Sequence, residues 1–306
     1  MAIKIIRAQD AIQVQTLRVL IYGQPGLGKT SFAFTCDKPL CLDFDKGAYR
    51  SKQRKDSLDI QSWDDIVELM RTPAVFANYR TIVVDTIGRC LDGITRHILD
   101  GSPKSGNSKG GLTMQGWGEL KNVFQAWVRQ LTLLGLDVVF IAHDKEDKDG
   151  DRVFKRPDVQ GGSYAEVMKT ADLIGYMSMR NNKAVLDFAP CDDFIAKNGA
   201  GFKPILLPDF GKETMFGAEL LETAKALMSS AAMSDAEIAS IVDEWRTAID
   251  AYESVEDFNN GLVAVSKIQS TTASVQVKKL LNDRRTALGY EFDGKSKVFY
   301  AKEVAA

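Results

Sequence analysis

The amino-acid sequence predicts an α/β fold, a mostly parallel sheet flanked by helices, with a small helical C-terminal region after it. Short β-branched runs alternate with amphipathic segments over the first two-thirds of the 306-residue chain, which is typical of parallel strands joined by helices. A glycine-rich segment connects the first of these runs to the first helical segment. From about Gly217 the strand-like runs stop and helical periodicity takes over. We therefore predict two domains, residues 1–216 and 217–306.

Apolar runs with the character of buried strands occur at four places before residue 145. They are Leu17–Tyr22, Leu40–Phe44, Thr81–Asp85 and Val138–Ala142. Helical segments are expected between them at Lys29–Thr35, Trp63–Met70 and Met114–Leu134. Since parallel strands need crossover connections of this kind, the order of segments predicts one largely parallel sheet.

A hairpin and four helices complete the expected order of elements. Strand-like runs at 173–179 and 184–188 flank Arg180-Asn181-Asn182-Lys183, and the paired asparagines favour a tight antiparallel turn. Helices are then expected at Ala218–Ser229, Ser234–Tyr252, Val255–Ile268 and Thr272–Leu288. Ser234 and Glu237 have the spacing of a capping box.

Composition and charge exclude several classes of protein. The net charge of −2 and the pI of about 5.9 argue against a protein that coats nucleic acid by bulk positive charge. The four cysteines match no zinc-binding spacing, which favours reduced thiols in a cytosolic protein. No apolar run approaches the ~18 residues of a membrane span, and the first residues lack the apolar centre of a signal peptide. We expect a cytoplasmic protein with no membrane partner.

Residues 23–30 read Gly-Gln-Pro-Gly-Leu-Gly-Lys-Thr, the G-x-x-x-x-G-K-[ST] pattern of a phosphate-binding loop. Glycines let successive main-chain N–H groups converge on phosphate oxygens, and the following helix directs its positive end at the same oxygens. Lys29 adds a cation, and the Thr30 hydroxyl can ligate Mg²⁺. The sequence therefore predicts a site for a nucleoside triphosphate with Mg²⁺. Its expected contact residues are Gly23, Gln24, Pro25, Gly26, Leu27, Gly28, Lys29, Thr30 and Ser31.

Three further strands are expected to end beside this loop, because open α/β sheets bind ligands at the carboxyl ends of their strands. Asp85 closes the run Thr-Ile-Val-Val-Asp and is expected to hold Mg²⁺ opposite Thr30. Asp43 and Asp45 are both candidates to orient and deprotonate the attacking water. Alternate residues of an extended segment face opposite sides, so we expect one of the two to face the γ-phosphate and prefer Asp45. His143 is a candidate sensor of the γ-phosphate, with a purely structural histidine as the alternative. The candidate catalytic residues are Lys29, Asp45, Asp85 and His143.

Two long segments rich in glycine and lysine interrupt the α/β region, at residues 100–111 and 144–162. Structureless loops of this length inside a compact domain tend to be functional. The second segment also carries many carboxylates, so it is mixed in charge and not simply basic. The cationic residues of the two segments considered for DNA contact are Lys104, Lys109, Lys145, Lys148, Arg152, Lys155 and Arg156.

In their order, these motifs resemble the RecA-type ATPase core. They look most like the short RecA-like proteins of bacteriophages, which act as single-strand annealing or recombination ATPases. The stretches that carry the resemblance are GQPGLGKTSFAF, LCLDFDKGAYRS, YRTIVVDTIG, VVFIAHDKEDKDGD and GGSYAEVMKTADLIGYM. It covers roughly residues 17 to 210.

The resemblance implies ATP as the nucleotide, Asp45 as the water-activating acid, and DNA contacts from the two loops after the third and fourth strands. It also implies a filament or ring of identical subunits, with ATP at the subunit interfaces and a cationic finger reaching across. Candidates for that finger are Lys155, Arg156, Arg180 and Lys183. Compared with RecA itself, a histidine replaces a glutamine at position 143, and the long N-terminal polymerisation helix is absent or reduced.

The function predicted from these observations is that of an ATP-hydrolysing, single-stranded-DNA-binding protein of phage type, active in homologous recombination or single-strand annealing. Its ATPase is expected to be stimulated by DNA in the cytoplasm of a bacterial host, and a single-strand binding protein of phage or host is a further expected partner. Two alternatives stay open: a hexameric motor or loader ATPase on DNA, and a KaiC-like assembly protein in which ATP controls oligomerisation around a protein client. The pattern distinguishes neither filament from ring nor ATP from GTP.

Overall fold

A computed structural model describes residues 12–231, 235–268, 270–293 and 298–301. They form two compact units, one spanning Gln15–Lys225 and the other containing the described residues from Ala226 onward together with 12–14. The division between the units falls inside a helix, Phe216–Ala231, whereas composition alone placed it before that helix. Within the described residues, no helix is long and apolar enough to span a bilayer.

The larger unit is built on a sheet that has ten strands among the described residues. They are β1 Arg18–Gly23, β2 Pro39–Asp43, β3 Ser57–Asp59, β4 Thr81–Asp85, β5 Asp137–Asp149, β6 Arg152–Pro157, β7 Leu173–Arg180, β8 Lys183–Asp187, β9 Lys197–Asn198 and β10 Ile205–Leu206. The order across the sheet is β10-β8-β7-β1-β5-β4-β2-β3, with β6 paired to β5 and β9 to β7. Six consecutive strands are parallel to one another, in the order β7-β1-β5-β4-β2-β3. The remaining pairings are antiparallel. The predicted mostly parallel sheet is confirmed.

Helices cover this sheet. They are α1 Lys29–Ala33, α2 Trp63–Arg71, α3 Ile87–Gly101, α4 Met114–Leu133, α5 Gly161–Thr170 and α6 Phe216–Ala231. Every residue of β2 and β4 is buried, as expected for strands with helices on both faces. The helices predicted in this unit occur at the expected places, whereas α3 and α5 were not predicted. The buried stripe of α3 is Ile87, Cys90, Leu91, Ile94 and Ile98, a spacing typical of an amphipathic helix with one face in the core.

The expectation of a structureless loop over residues 144–162 is wrong. Strand β5 continues past the sheet to Asp149 and pairs with β6 as an antiparallel hairpin, and α5 follows. Oppositely charged residues face one another across this hairpin, for example Glu146 opposite Lys155, and such cross-strand pairs stabilise antiparallel strands. The polar composition that suggested a loop therefore belongs to two strands. The segment 100–111 is less regular, with a single 3-10 turn at Pro103–Ser105 and a bridge between Gly106 and Leu112.

The predicted antiparallel hairpin after α5 is confirmed as β7 and β8. Its two turn residues, Asn181 and Asn182, have φ values of 51° and 59°, and asparagine tolerates this left-handed region better than most residues. This hairpin extends the parallel sheet on the far side of β1.

The smaller unit contains helices α7 Asp235–Asp250, α8 Val255–Val265 and α9 Thr271–Ala287, and the antiparallel pair β11 Tyr290–Asp293 and β12 Val298–Ala301. The helices were predicted, and the strand pair was not. Ser234, half of the predicted capping box, lies outside the described residues. A capping box is present instead at the start of α8, between Ser254 and Asp257. The core of this unit includes Phe258, which is fully buried.

Candidate active site

The glycine-rich loop leaves the carboxyl end of β1, which lies between β5 and β7. Gly28 has a φ of 87°, a left-handed conformation that is strained for residues with a Cβ. Helix α1 begins at the next residue, and Lys29 is 5% exposed. Its Nζ donates hydrogen bonds to the carbonyl oxygens of Gly23, at 2.8 Å, and Gln24, at 2.7 Å. The lysine therefore folds back over the loop, where it can meet an incoming phosphate.

Thr30 and Asp85 are in direct contact. The Thr30 Oγ1 donates a hydrogen bond of 2.6 Å to Oδ2 of Asp85, which joins the first turn of α1 to the end of β4. Asp85 is 4% exposed, and its burial, with the nearby charges of Asp43 and Asp45, raises the pKa of its carboxyl to about 6. A hydroxyl and a carboxylate oxygen beside a phosphate-binding loop are the hard oxygen donors that Mg²⁺ requires. The two residues therefore fit the predicted metal-binding role.

Asp43 and Asp45 have different environments. The buried carboxylate of Asp43 accepts hydrogen bonds from the main-chain N–H groups of Gly47, at 3.1 Å, and Ala48, at 2.9 Å. It thereby holds the 3-10 turn Ala48–Arg50. Asp45 instead lines the cavity beside the phosphate-binding loop. The geometry leaves Asp45 with a free face toward a ligand and commits both oxygens of Asp43 to the backbone.

A cavity of about 540 Å³ brings the predicted site residues together. Its lining includes Pro25, Gly26, Gly28, Lys29, Thr30, Ser31, Asp45, Asp85 and His143. A volume of this size suits a small ligand such as a nucleotide. Gly23, Gln24 and Leu27 belong to the loop but do not line this cavity. The four candidate catalytic residues thus face one space.

Arg89 was missed by the sequence prediction. It stands in the first turn of α3, where its Nε lies 3.4 Å from Oδ1 of Asp45 and its Nη1 lies 3.4 Å from Oδ2 of Asp92. It lines both the 540 Å³ cavity and a neighbouring one of about 250 Å³. Because the segment after Asp85 was not recognised as a helix, its proximity to Asp45 could not be inferred.

His143 lies on β5, directly beside Gly23 of β1 in the parallel register. It borders both cavities, and its buried Nδ1 has no hydrogen-bond partner among the described residues. Burial, followed by the positive charge of Lys29, lowers the pKa of the imidazole, so the ring is neutral at pH 7. Buried polar atoms are nearly always satisfied, and an orphan atom here fits a histidine that meets a ligand.

The five cations proposed for DNA contact in segment 144–162 lie on the β5–β6 hairpin, and four of them face carboxylates. The ion pairs are Lys145–Asp158 at 3.2 Å, Lys155–Glu146 at 3.0 Å, Arg152–Asp192 at 3.6 Å and Arg156–Asp147. Within the described ranges, no ion pair is present at Lys148 of the hairpin, nor at Lys104 or Lys109 of the segment 100–111. Four of the seven cations expected to contact DNA are thus paired with carboxylates, two of them within the hairpin and two with residues outside it.

The fold and the site together define a RecA-type P-loop ATPase. Strand β1 with its phosphate-binding loop lies between β7 and β5, and Asp85 ends β4 one strand further on. A family model described as an AAA domain (AAA_24) matches residues 15–200, which is more than half of the chain. The chain belongs to this AAA domain family.

Two other similarities were found. The SPbeta prophage-derived uncharacterized protein YorG of Bacillus subtilis (strain 168) is 27% identical over 234 residues, which is 70% of each chain. The crystal structure of the KaiC-like protein PH0186 from Pyrococcus horikoshii OT3 covers 56% of this chain and 77% of its own, with 13% identity and a TM-score of 0.34. The assignment of the fold rests on the strand order and not on that likeness.

Proposed function

We propose that this P-loop ATPase is of phage type and couples ATP hydrolysis to single-stranded DNA in homologous recombination or single-strand annealing, in the cytoplasm of a bacterial host. The observation that carries the enzymatic part is the convergence of Lys29, Thr30, Asp45 and Asp85 on one cavity. The prophage origin stated for YorG supports a phage context. The DNA part rests on the resemblance in motif order and on exposed cations outside the hairpin.

The residues around the cavity divide the work of phosphoryl transfer among them. Loop amides and Lys29 bind and neutralise the β- and γ-phosphates, and Thr30 with Asp85 would hold Mg²⁺. When bound, Mg²⁺ supplies positive charge against the phosphate oxygens in the transition state. Asp45 accepts a proton from the attacking water, which general-base catalysis requires to be within hydrogen-bond reach. The neutral imidazole of His143 can donate its N–H to the γ-phosphate and so distinguish ATP from ADP.

Assembly into a filament or ring with ATP at the subunit interfaces is part of this proposal, as is a single-strand binding protein of phage or host as a further partner. Among the finger candidates, Lys155 and Arg156 are held by carboxylates of their own hairpin. Arg180 pairs with Asp187 at 2.9 Å. Lys183, at the tip of the β7–β8 hairpin, has no ion pair in the part of the chain that the structure describes. It is the candidate freest to reach a neighbouring subunit.

The ion-paired β5–β6 hairpin favours one alternative, a KaiC-like assembly ATPase with a protein client, because neutralised cations contribute little to phosphate binding. The rate of ATP hydrolysis with and without single-stranded DNA at low salt separates the two functions. Stimulation by DNA supports the recombination ATPase, whereas a rate that ignores DNA favours the assembly protein. Lys29→Ala serves as the control, and full activity in that variant would refute the phosphate-loop assignment itself.

A further inference from the structure

The connection between β2 and β3 carries the densest positive charge of the chain. Residues 46–55 contain five cationic residues and no acidic one, a density that no other ten-residue stretch reaches. They are Lys46, Arg50, Lys52, Arg54 and Lys55. In a protein with a net charge of −2, a local patch of this kind is where a polyanion would bind.

The backbone of this connection is held in place at several points. Asp43 accepts from the N–H groups of Gly47 and Ala48, and Ser31 Oγ accepts from the N–H of Lys52 at 3.1 Å. The side-chain amide of Gln53 donates to the carbonyl oxygen of Gly211 at 3.1 Å. The exposed side chains of the connection therefore project from an anchored segment, which lowers the entropic cost of binding.

Three of the five cations are not neutralised. Lys46 lies 3.8 Å from Asp59, and Lys52 lies 2.6 Å from Asp209. By contrast, Arg50, Arg54 and Lys55 have no carboxylate within ion-pair distance among the described residues. Their charge is available to a ligand, unlike that of the β5–β6 hairpin.

Arg54 and Lys55 line a cavity of about 850 Å³ together with Lys38, Asn78 and Tyr79. This cavity is larger than the nucleotide cavity but shares no lining residue with it, so it is not the ATP site. Two carboxylates also line it. One of them, Asp56, accepts a hydrogen bond of 2.9 Å from the Tyr79 hydroxyl, and the other is Asp37. The lining of this cavity therefore has three cationic side chains and two carboxylates, which leaves an excess of positive charge.

Tyr49 adds an aromatic surface to the same connection. Its side chain is 68% exposed, and Arg50 lies over its ring at 5.5 Å. Arg50 and Ser51 line the nucleotide cavity, whereas Tyr49 does not. The ring is therefore exposed to solvent outside the ATP site. An exposed aromatic ring beside unpaired cations is the combination that binds unpaired bases and their phosphates.

We propose that residues 49–55, together with Lys38, form the principal binding surface for single-stranded DNA. Phosphates meet Lys38, Arg54 and Lys55, and a base stacks on Tyr49. The strand then passes beside the ATP cavity, since Arg50 lies over the Tyr49 ring and also lines that cavity. This inference rests on the proposed function, that the protein binds single-stranded DNA, and moves the main contact from the two predicted loops to the β2–β3 connection.

Fluorescence anisotropy tests this surface, with the full chain, Mg²⁺, a non-hydrolysable ATP analogue and a labelled oligothymidylate of about 20 nucleotides, longer than the ~4–16 nucleotides of common sites. Each phosphate contact contributes about 0.7 to the slope of log affinity against log salt concentration. The double variant Arg54→Ala/Lys55→Ala should lower that slope by about 1.4 and weaken binding roughly 25-fold at about 0.1 M salt. Tyr49→Ala should weaken binding about five-fold or more, with the salt slope unchanged.

Matched controls identify what fails if a result is negative. Arg129→Ala/Lys203→Ala removes one arginine and one lysine that are exposed and unpaired in the described structure, and it should bind as the wild type does.

If the wild type binds the oligonucleotide but only Lys104→Ala/Lys109→Ala weakens it, this surface is refuted while the DNA function stands. A preference for duplex over single strands would also refute it, because Tyr49 needs an unpaired base. If the wild type binds no oligonucleotide in any nucleotide state, the proposed function fails as well. The milder variant Arg54→Gln/Lys55→Gln, with its melting temperature and its affinity for the ATP analogue, excludes a folding defect.

Discussion

Replacing Asp43, the last residue of β2, or Asp45, two residues further on, with asparagine should separate stability from turnover. Asp43 satisfies two main-chain N–H groups, one of them on the buried Ala48. Asparagine offers a single uncharged acceptor oxygen, so one N–H loses its partner at a cost of about 1–3 kcal/mol of unfolding free energy. Asp45 has a side chain that is 29% exposed, and its ion pair with Arg89 is 3.4 Å long. An exposed pair of this kind contributes about 0–1 kcal/mol.

The effect on catalysis should run the other way. Losing a general base typically costs about 10²- to 10⁴-fold in rate, so Asp45→Asn should reduce kcat by that range while nucleotide affinity is retained. Asp43→Asn should keep most of its turnover at temperatures where it remains folded. Urea unfolding measures the first quantity, and steady-state ATP hydrolysis with a fluorescent nucleotide titration measures the second. Asp100→Asn, exposed at the end of α3 and without an ion pair within the described ranges, is the control for the charge change.

The opposite pattern would refute the assignment. If Asp43→Asn abolishes hydrolysis without lowering the unfolding free energy, while Asp45→Asn remains active, then the acid that faces the γ-phosphate is Asp43.

Three further predictions concern the rest of the site. Burial raises the pKa of Asp85 to about 6, so its carboxyl is protonated more readily in the folded than in the unfolded chain, and its charge lowers stability as pH rises from about 4 to 6. Asp85→Asn should therefore stabilise the nucleotide-free protein by up to about 3 kcal/mol at pH 7 in a chelator, with no gain below about pH 4. Its Mg²⁺-dependent affinity for nucleotide should fall. A stability difference between variant and wild type that is the same at both pH values would contradict this. His143→Ala should retain ATP binding but lose the difference in DNA affinity between the ATP-analogue and ADP states, and an unchanged difference would make His143 structural. Arg89→Ala removes the 3.4 Å ion pair with Asp45 and should lower kcat because Asp45 loses a side chain that positions it, while the unfolding free energy changes by no more than the ~1 kcal/mol of an exposed pair; an unchanged kcat would exclude a role for this contact in hydrolysis.

Local sequence pattern was sufficient for the phosphate-binding loop and the strands beside it. The loop depends on residue types at fixed spacing, with glycine where φ is positive and Lys29 and Thr30 at the start of a helix. The buried strands of a parallel sheet can be recognised in the sequence as continuous apolar runs, because helices cover both of their faces. For the same reason, the position of Asp85 at the end of its strand followed from the sequence.

The β5–β6 hairpin was mispredicted because its stability comes from pairing across the strands. Residues such as Glu146 and Lys155 look like loop residues one by one, and only the register of the hairpin places them opposite each other. The same residues then lose most of their value as DNA ligands, since their charges are paired. Helix α3 is different, because its apolar residues Ile87, Cys90, Leu91, Ile94 and Ile98 have clear helical spacing, so the sequence carried the signal and the prediction overlooked it.

What the sequence determined by itself is the chemistry available: a triphosphate loop, an acid at the end of β4, one acid that ends β2 and one just after it, and a histidine at the end of the parallel part of a strand. What only the tertiary structure decided is how these groups and the surrounding cations are distributed. Asp43 turned back onto its own backbone and Asp45 toward the cavity, and Arg54 and Lys55 stayed free while Lys155 and Arg156 did not. The contacts of Arg89 with Asp45 and of Lys52 with Asp209 join residues 44 and 157 positions apart. The nearer contacts of Asp43 and Lys155 depend on the turn and the hairpin register that the fold imposes. Residue type alone therefore does not specify which charged side chain finds a partner and which remains available to a ligand.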